Sequence, residues 1–241
     1  MIAHQAGYDR QMHAVADPRP AAGETVFMSA LTAAEDAALR ARGVPRRFGR
    51  GAAIFHQHGV ADRVLVVLSG CVKLSCLSEE GKEVILAIRG PGDLLGEMSV
   101  IDGRPRSATA IALDSVEAVG VAGPDFIDYL EHNPRVALVV MRMLGTRLRE
   151  ADAMRIELSA QDSMSRVAAR IVELCERFGD DVDAGVQVDL PISQEELAGW
   201  TGCSRDSVVK ALQSMRRLGW LETGRRRITV LALEDLRRRA G

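Results

Sequence analysis

Nowhere in these 241 residues does an apolar run approach the roughly 20 residues that a membrane-spanning helix needs, and the N-terminus carries no signal-peptide pattern. A cytoplasmic chain with no membrane partner is expected. Cysteine is sparse as well. Cys71, Cys76, Cys175 and Cys203 stand at no metal-ligand spacing. Cys71 and Cys76, on what reads as one strand, point to opposite faces and cannot pair there. Free structural thiols are the expectation, with no metal, haem or iron–sulfur cluster. No nucleophile–base set or metal set stands out, so no enzyme is expected.

Net charge is nearly absent, at −2 overall, but it is unevenly spread. From Trp200 to the end, ten Lys and Arg face four Asp and Glu, a local +6 that leaves −8 on the rest. A basic end on an acidic body points to a nucleic-acid partner at that end. The length leaves room for two modest domains, each with its own core.

Residues 1–27 mix Ala, Pro, His, Gln and Asp without periodicity and read as a disordered tail. Leu31 to Ala41 reads as a helix, with Thr32 as N-cap and Gly43 ending it. From Val44 to Ala122 the pattern becomes short strands broken by Gly and Pro. The clearest are Ala53–His56, Val64–Leu68, Cys71–Leu77, Glu83–Ile88, Ser107–Ala112 and Ser115–Ala122. Many short antiparallel strands at this spacing make a jelly roll or a similar double-sheet barrel.

Asn133 and Pro134 start a long helix running to Leu158, with Asn133 as N-cap and Pro134 in the first helical position. Ala137, Met141, Leu144, Leu148, Ala151, Arg155 and Leu158 follow an alternating four-three spacing, a coiled-coil seam broken once at Arg155. Val136, Val139, Val140 and Met143 supply a second apolar face that would pack on the roll. Apolar residues on both faces predict a homodimer. Residues 159–164 read as a hinge, Ser165–Phe178 as an amphipathic helix, Gly179–Gly185 as an acidic loop and Val186–Leu190 as a strand.

Within the roll, the stretch from Gly96 to Ala110, GEMSVIDGRPRSATA, carries chemistry. A helical turn after Gly96 would present free backbone N–H groups to an anion. Arg106 adds a planar cationic fork suited to phosphate and Ser107 a hydroxyl, while the Glu97 carboxylate suits a ribose 2′-hydroxyl. The segment resembles the phosphate-binding cassette of cyclic-nucleotide-binding domains. That resemblance implies a ligand site made by Gly96, Glu97, Met98, Ser99, Arg106, Ser107 and Ala108, with cAMP or cGMP as effector. Turn glycines at 59, 70, 81, 92, 96 and 103 fall where that roll has them. A family member that keeps the roll vacant is the alternative. A remoter one is a cupin-like metalloenzyme, since His56, His58, Asp62 and Gly70 resemble half of that metal motif; no His near Pro91–Glu97 supplies the other half.

Towards the C-terminus, Ser193 with Glu196 three residues on is a capping box. Ala198, Gly202 and Val208 then fit a helix-turn-helix, with Ser204 capping the second helix. Val208, Ala211, Leu212 and Met215 form its inner face; Arg205, Asp206, Val209, Lys210 and Gln213 lie outside. Leu218–Val230 reads as a hairpin wing around Gly224, with Arg225, Arg226 and Arg227 near phosphates. The string from Gly202 to Lys210 resembles the recognition helix of the CRP/FNR family of transcription factors, which the roll and long helix also match in order.

That resemblance implies a palindromic double-stranded DNA partner and RNA polymerase beyond it. It places Arg205, Asp206 and Lys210 on base-contacting positions, Arg being suited to guanine O6 and N7. Ser193, Gln194 and the wing arginines Arg225 and Arg226 would hold the phosphate backbone. No N-terminal cysteine cluster of the oxygen-sensing relatives is present. In one place the sequence departs from the family: where the long helix carries Thr-Ser for the purine base, this chain has Ala151 and Asp152. Asp152 is acceptor-only when ionised, so cyclic GMP, or weakly coupled cyclic AMP, is expected. In the alternative, Asp152 faces solvent or pairs with Arg149 or Arg155, each three residues away. The fold expected is α+β: a cyclic-nucleotide-binding roll over 28–132, a dimerisation helix over 133–158, a hinge over 159–164 and a winged helix-turn-helix over 165–241.

Overall fold

A computed structural model describes residues 26–189, 192–224 and 226–241. The expected tail lies outside it up to residue 25, as do Leu190, Pro191 and Arg225. Phe27 does not belong to a loose tail. It is buried at the head of a short 3-10 turn, Phe27–Ala30, and packs with Leu39, Tyr129 and Val136. Val26, Phe27 and Met28 form an apolar run too short to show a period, which is why sequence alone misses this anchor.

The first helix, α1 (Ala33–Ala41), starts at Thr32, whose hydroxyl accepts from the Glu35 N–H while the Glu35 side chain accepts from the Thr32 N–H. Gly43 does not stop it. Arg42 closes the helix in a right-handed conformation, and Gly43 opens β1, where an added Cβ would fall 2.1 Å from Val119. The strands are β1 (Gly43–Phe48), β2 (Ala53–Phe55), β3 (Arg63–Ser69), β4 (Val72–Leu77), β5 (Glu83–Arg89) and β6 (Leu94–Leu95). A six-residue α2 (Glu97–Asp102) then precedes β7 (Thr109–Ala112) and β8 (Val116–Ala122).

Two four-stranded antiparallel sheets, ordered β1-β8-β3-β6 and β2-β7-β4-β5, face each other as a jelly roll. Leu65, Val67, Val72, Leu95, Ala110, Ala112, Val116 and Ala118 fill the space between them. β1 and β6 escape sequence reasoning for local reasons. The β1 sequence, GVPRRF, has no apolar alternation and is mostly exposed, and β6 has two residues.

After α3 (Gly123–His132) comes α4 (Pro134–Ala160), 27 residues and about 40 Å long. Asn133 precedes it but does not cap it with its side chain; its amide donates to the Tyr129 carbonyl instead. Val136, Val139, Val140 and Met143 bury one face of α4 with Phe126 and Tyr129 against Val64, Val66, Val119 and Val121 of the roll. Leu138, Met141, Leu148, Ile156 and Leu158 on α4 remain exposed.

The break expected over 159–164 is narrower. α4 continues through Ala160, and α5 (Ser163–Phe178) begins after Asp162, whose carboxylate caps it by accepting from the Ser165 N–H. Only Gln161 and Asp162 interrupt the helices. The acidic loop also differs, since Asp180–Val182 forms β9 against β10 (Gly185–Val188). All three β9 residues are exposed, so no alternation betrays the strand.

α6 (Gln194–Thr201), α7 (Arg205–Arg217), β11 (Leu221–Gly224), β12 (Arg227–Val230) and α8 (Leu233–Ala240) complete a winged helix-turn-helix. This second domain sits directly on the roll. Ile85, Ile88, Cys71 and Leu113 share one apolar cluster with Leu197, Ala198 and Trp200. Gly199 permits the approach, because a Cβ there would lie 2.8 Å from the Glu83 carbonyl oxygen.

Candidate functional sites

The segment from Gly96 to Ala108 folds as a left-handed glycine, a short helix and a return loop. Gly96 has φ 76°, and an added Cβ would stand 2.3 Å from the Arg106 Nη1. Only glycine lets the Arg106 guanidinium lie under the turn. There Arg106, 2 % exposed, donates from Nη1 to the Gly96 carbonyl at 2.9 Å and from Nη2 to the Arg63 carbonyl at 2.7 Å. Its guanidinium lies over the Phe55 ring, 4.6 Å from the centroid, and Asp62 stands 3.5 Å away. Burial lowers the Arg106 pKa, with the Asp62 charge opposing. Its Nε is buried with no hydrogen-bond partner among the described residues. A buried donor without an acceptor costs about 1–3 kcal/mol, a deficit that an anion would remove.

Glu97, also 2 % exposed, is held by a residue that sequence reasoning does not single out. Arg147 of α4 donates from Nη1 to Glu97 Oε1 at 2.6 Å and from Nη2 to the Leu94 carbonyl at 2.8 Å. Burial lowers the Arg147 pKa and the Glu97 charge works against that. Arg147 also stands 3.9 Å from Asp93. Asp93, buried, accepts from Arg177 of α5 at 2.7 Å and from the Gly90 N–H at 2.9 Å. Charged groups thus run from the candidate pocket through α4 to the second domain.

The other expected ligand residues divide. Ser99 is buried and donates to the Pro105 carbonyl at 3.2 Å, so its hydroxyl braces the return loop. Ala108 is buried, Met98 is half exposed, and Ser107 is exposed. The Ser107 carbonyl accepts from the Cys76 thiol at 3.2 Å. Asp152 pairs with Arg155 at 3.4 Å, with more than half its side chain exposed. His58 has φ 66° and donates its backbone N–H to the Arg106 carbonyl at 2.8 Å, a loop role. Among the described residues, no group of three or more His, Cys, Asp or Glu could hold a metal ion.

In the second domain, Ser193 caps α6 in a capping box with Glu196. Gly202, φ 61°, makes the turn, the Cys203 N–H donates to the Ala198 carbonyl, and Ser204 caps α7 through the Ser207 N–H. Arg166 of α5 braces this turn by donating from Nε to the Thr201 carbonyl at 2.9 Å. Arg205, Asp206 and Lys210 are exposed on α7, as is Gln194 on α6, and Val209 is half-buried beside them. Arg226 takes φ 60° in the wing turn, and Arg225 lies outside the described residues. The run Arg237–Arg239 is taken up by acidic and polar partners on α5 and α8: Glu176 and Glu234, Asp235, and Asp162 with Ser165.

Sequence reasoning also missed Lys73. Its ammonium, 8 % exposed, bridges Glu83 at 3.0 Å and Glu196 at 2.8 Å, joining β4 and β5 to α6.

The chain matches the cyclic nucleotide-binding domain family over residues 45–133 and the Crp-like helix-turn-helix domain family over residues 165–239. It is 32% identical over 204 residues to a CRP-like cAMP-activated global transcriptional regulator of Mycobacterium tuberculosis, covering 85% of this chain and 91% of that protein. The structure of TTHB099, a CRP-family transcriptional regulator of Thermus thermophilus, aligns with TM-score 0.70 at 27% identity, over 81% of this chain and 96% of that one. FixK2 from Bradyrhizobium japonicum shares the fold, with TM-score 0.74 at 23% identity over 83% of this chain and 98% of that one.

Proposed function

Since the chain belongs to the CRP/FNR family of transcription factors, we propose that it is a homodimeric regulator whose DNA affinity is set by a cyclic nucleotide in its roll. The observation that carries the reading is the buried Arg106, whose Nε has no acceptor among the described residues, beside the buried Glu97. Arg106 would meet the cyclic phosphate and Glu97 the ribose hydroxyl, with Ser107 exposed at the same loop. Gly96, Met98, Ser99 and Ala108 shape the cradle. The exposed apolar residues of α4 would bury against α4 of a second copy. Two copies would present α7 twice, to a palindromic operator whose half-sites lie about one helical turn apart. Arg205, Asp206 and Lys210 would face bases, and Ser193, Gln194, Arg225 and Arg226 the phosphates. Such a regulator works in the cytoplasm and acts on RNA polymerase.

One observation favours a second reading, a regulator with a vacant roll. Both terminal nitrogens of Arg106 already have carbonyl acceptors, so the cradle is satisfied in part without a ligand. Isothermal titration with cyclic AMP and cyclic GMP separates the two: saturable binding at one site per chain supports the proposal, and no heat with either nucleotide supports the vacant roll.

A further inference from the structure

Arg89 ends β5 on the inner side of the roll. Its cross-strand partner is Val72, and residues directly opposite in an antiparallel ladder share a face. Val72 belongs to the interior cluster with Leu65, Val67 and Leu95. A guanidinium therefore sits where the neighbouring positions are apolar, with its side chain only 8 % exposed. Its Nη2 stands 3.4 Å from Oε2 of Glu150 on α4, a long ion pair. Its Nε is buried with no hydrogen-bond partner among the described residues.

Arg89 stands near enough to Arg147 for its charge to disfavour the Arg147 cation, and Arg147 holds Glu97. Arg106 and Arg147 reach the adjacent residues Gly96 and Glu97, while Arg89 reaches Glu150, which lies one turn beyond Arg147 on α4. Arg147 spends its donors on Glu97 and the Leu94 carbonyl. Arg106 lies with the phosphate-binding groups. Arg89 is left at the α4 wall, beside the turn that holds Glu150 and Ala151. With a phosphate at Arg106 and a ribose at Glu97, the part of such a ligand left to reach this wall would be the base.

A guanidinium offers donors only. Guanine presents two acceptors side by side, O6 and N7, whereas adenine presents N7 beside an amino donor. Resting on the cyclic-nucleotide reading above, we propose that Arg89 is the specificity-determining residue of this pocket and selects cyclic GMP over cyclic AMP by donating to guanine O6 and N7. This differs from a choice made through Asp152, which would read N1–H and the 2-amino group and which here pairs with Arg155 in solvent.

The test is a calorimetric titration of the full chain with cyclic GMP, cyclic AMP, cyclic IMP and 7-deaza-cyclic GMP. Cyclic IMP keeps O6 and N7 but lacks the 2-amino group; the 7-deaza analogue lacks N7. Cyclic GMP and cyclic IMP are expected to bind alike, each about tenfold or more tighter than cyclic AMP, with the 7-deaza analogue weaker than cyclic GMP. In Arg89→Leu the preference for cyclic GMP over cyclic AMP should collapse while cyclic AMP still binds. A purely structural role would weaken both nucleotides together and leave their ratio intact, which overturns the proposal. Cyclic AMP binding as tightly as cyclic GMP to the wild-type chain overturns it without any variant. Binding of none of the four by the wild-type chain removes the pocket reading itself.

Discussion

The Glu97 carboxylate lies 2.6 Å from the Arg147 guanidinium, so the candidate sugar-binding group of the roll is fastened to the long helix α4 by a buried ion pair. Whatever pulls on Glu97 pulls on α4. Removing one partner of such a pair strands the other charge, at about 3–5 kcal/mol. Arg147→Met is expected to lower the unfolding free energy by about that much in urea titrations. Glu97→Gln, which keeps a hydrogen-bond acceptor for Arg147, is expected to cost less.

Arg106→Ala should leave the roll folded and reduce nucleotide affinity tenfold or more, since a charge-assisted contact is worth about 1.5–3 kcal/mol. Calorimetry on mutant and wild type checks this. Overlaid isotherms would place the phosphate elsewhere.

The Lys73 clamp fixes how the DNA-binding domain sits on the roll, and its pH behaviour follows from its partners. Burial lowers the Lys73 pKa, but hydrogen bonds to Glu196 and Glu83 outweigh it and the net shift is upward. Burial raises Glu196, but the Lys73 and Ser193 hydrogen bonds bring it below its ordinary value. The carboxylate part of the clamp is therefore fully present above the unfolded value of about 4.3 and is lost as pH falls through the folded value. The Lys73 part is fully present below its unfolded value of about 10.4 and lost as pH rises through its raised folded pKa. Lys73→Met at neutral pH should speed amide exchange in α6 and β5. Adding Glu196→Gln should restore part of the protection, because it removes the stranded carboxylate.

Arg205 and Arg226 are expected to fail differently. Arg205→Ala should cost about 1–3 kcal/mol at one guanine of each half-site and relax the preference there. Arg226→Ala should weaken all sequences alike and reduce the salt slope by about one. Titrations of matched and substituted operators at several salt concentrations separate them. Equal, sequence-blind losses would put the recognition surface elsewhere on the domain.

What could be read from the sequence was local. Thr32, Ser193 and Ser204 announce their helices because a capping side chain bonds within three residues, and the structure places all three as caps. The cassette is legible for the same reason: Glu97, Arg106 and the turn glycine lie within one short stretch. Nothing local marks Arg147, Asp93 and Arg89 as neighbours of the cassette, or Lys73 as the clamp between the domains. Arg147 meets Glu97 fifty positions away and Lys73 meets Glu196 at 123. A charged residue ordinarily marks a solvated face, and nothing local signals that Lys73, Arg89 and Asp93 are buried or that Arg147 is largely covered. The exposed strands β1 and β9 were missed because period-two alternation reports a half-buried face, and these strands lack one. Asn133 has the residue type of a cap, yet no side-chain cap bond forms; its amide NH2 donates to the Tyr129 carbonyl four residues earlier.

Operator binding by the full chain, followed by fluorescence anisotropy at fixed salt with and without saturating cyclic nucleotide, tests the central claim most directly. A ligand shifts only an equilibrium between states that it binds differently, and coupling of about 1–3 kcal/mol is usual. The account predicts that cyclic GMP or cyclic AMP tightens binding to a palindromic site about tenfold or more, and that the gain vanishes in Arg106→Ala. Identical operator affinity in the presence and absence of both nucleotides would contradict it.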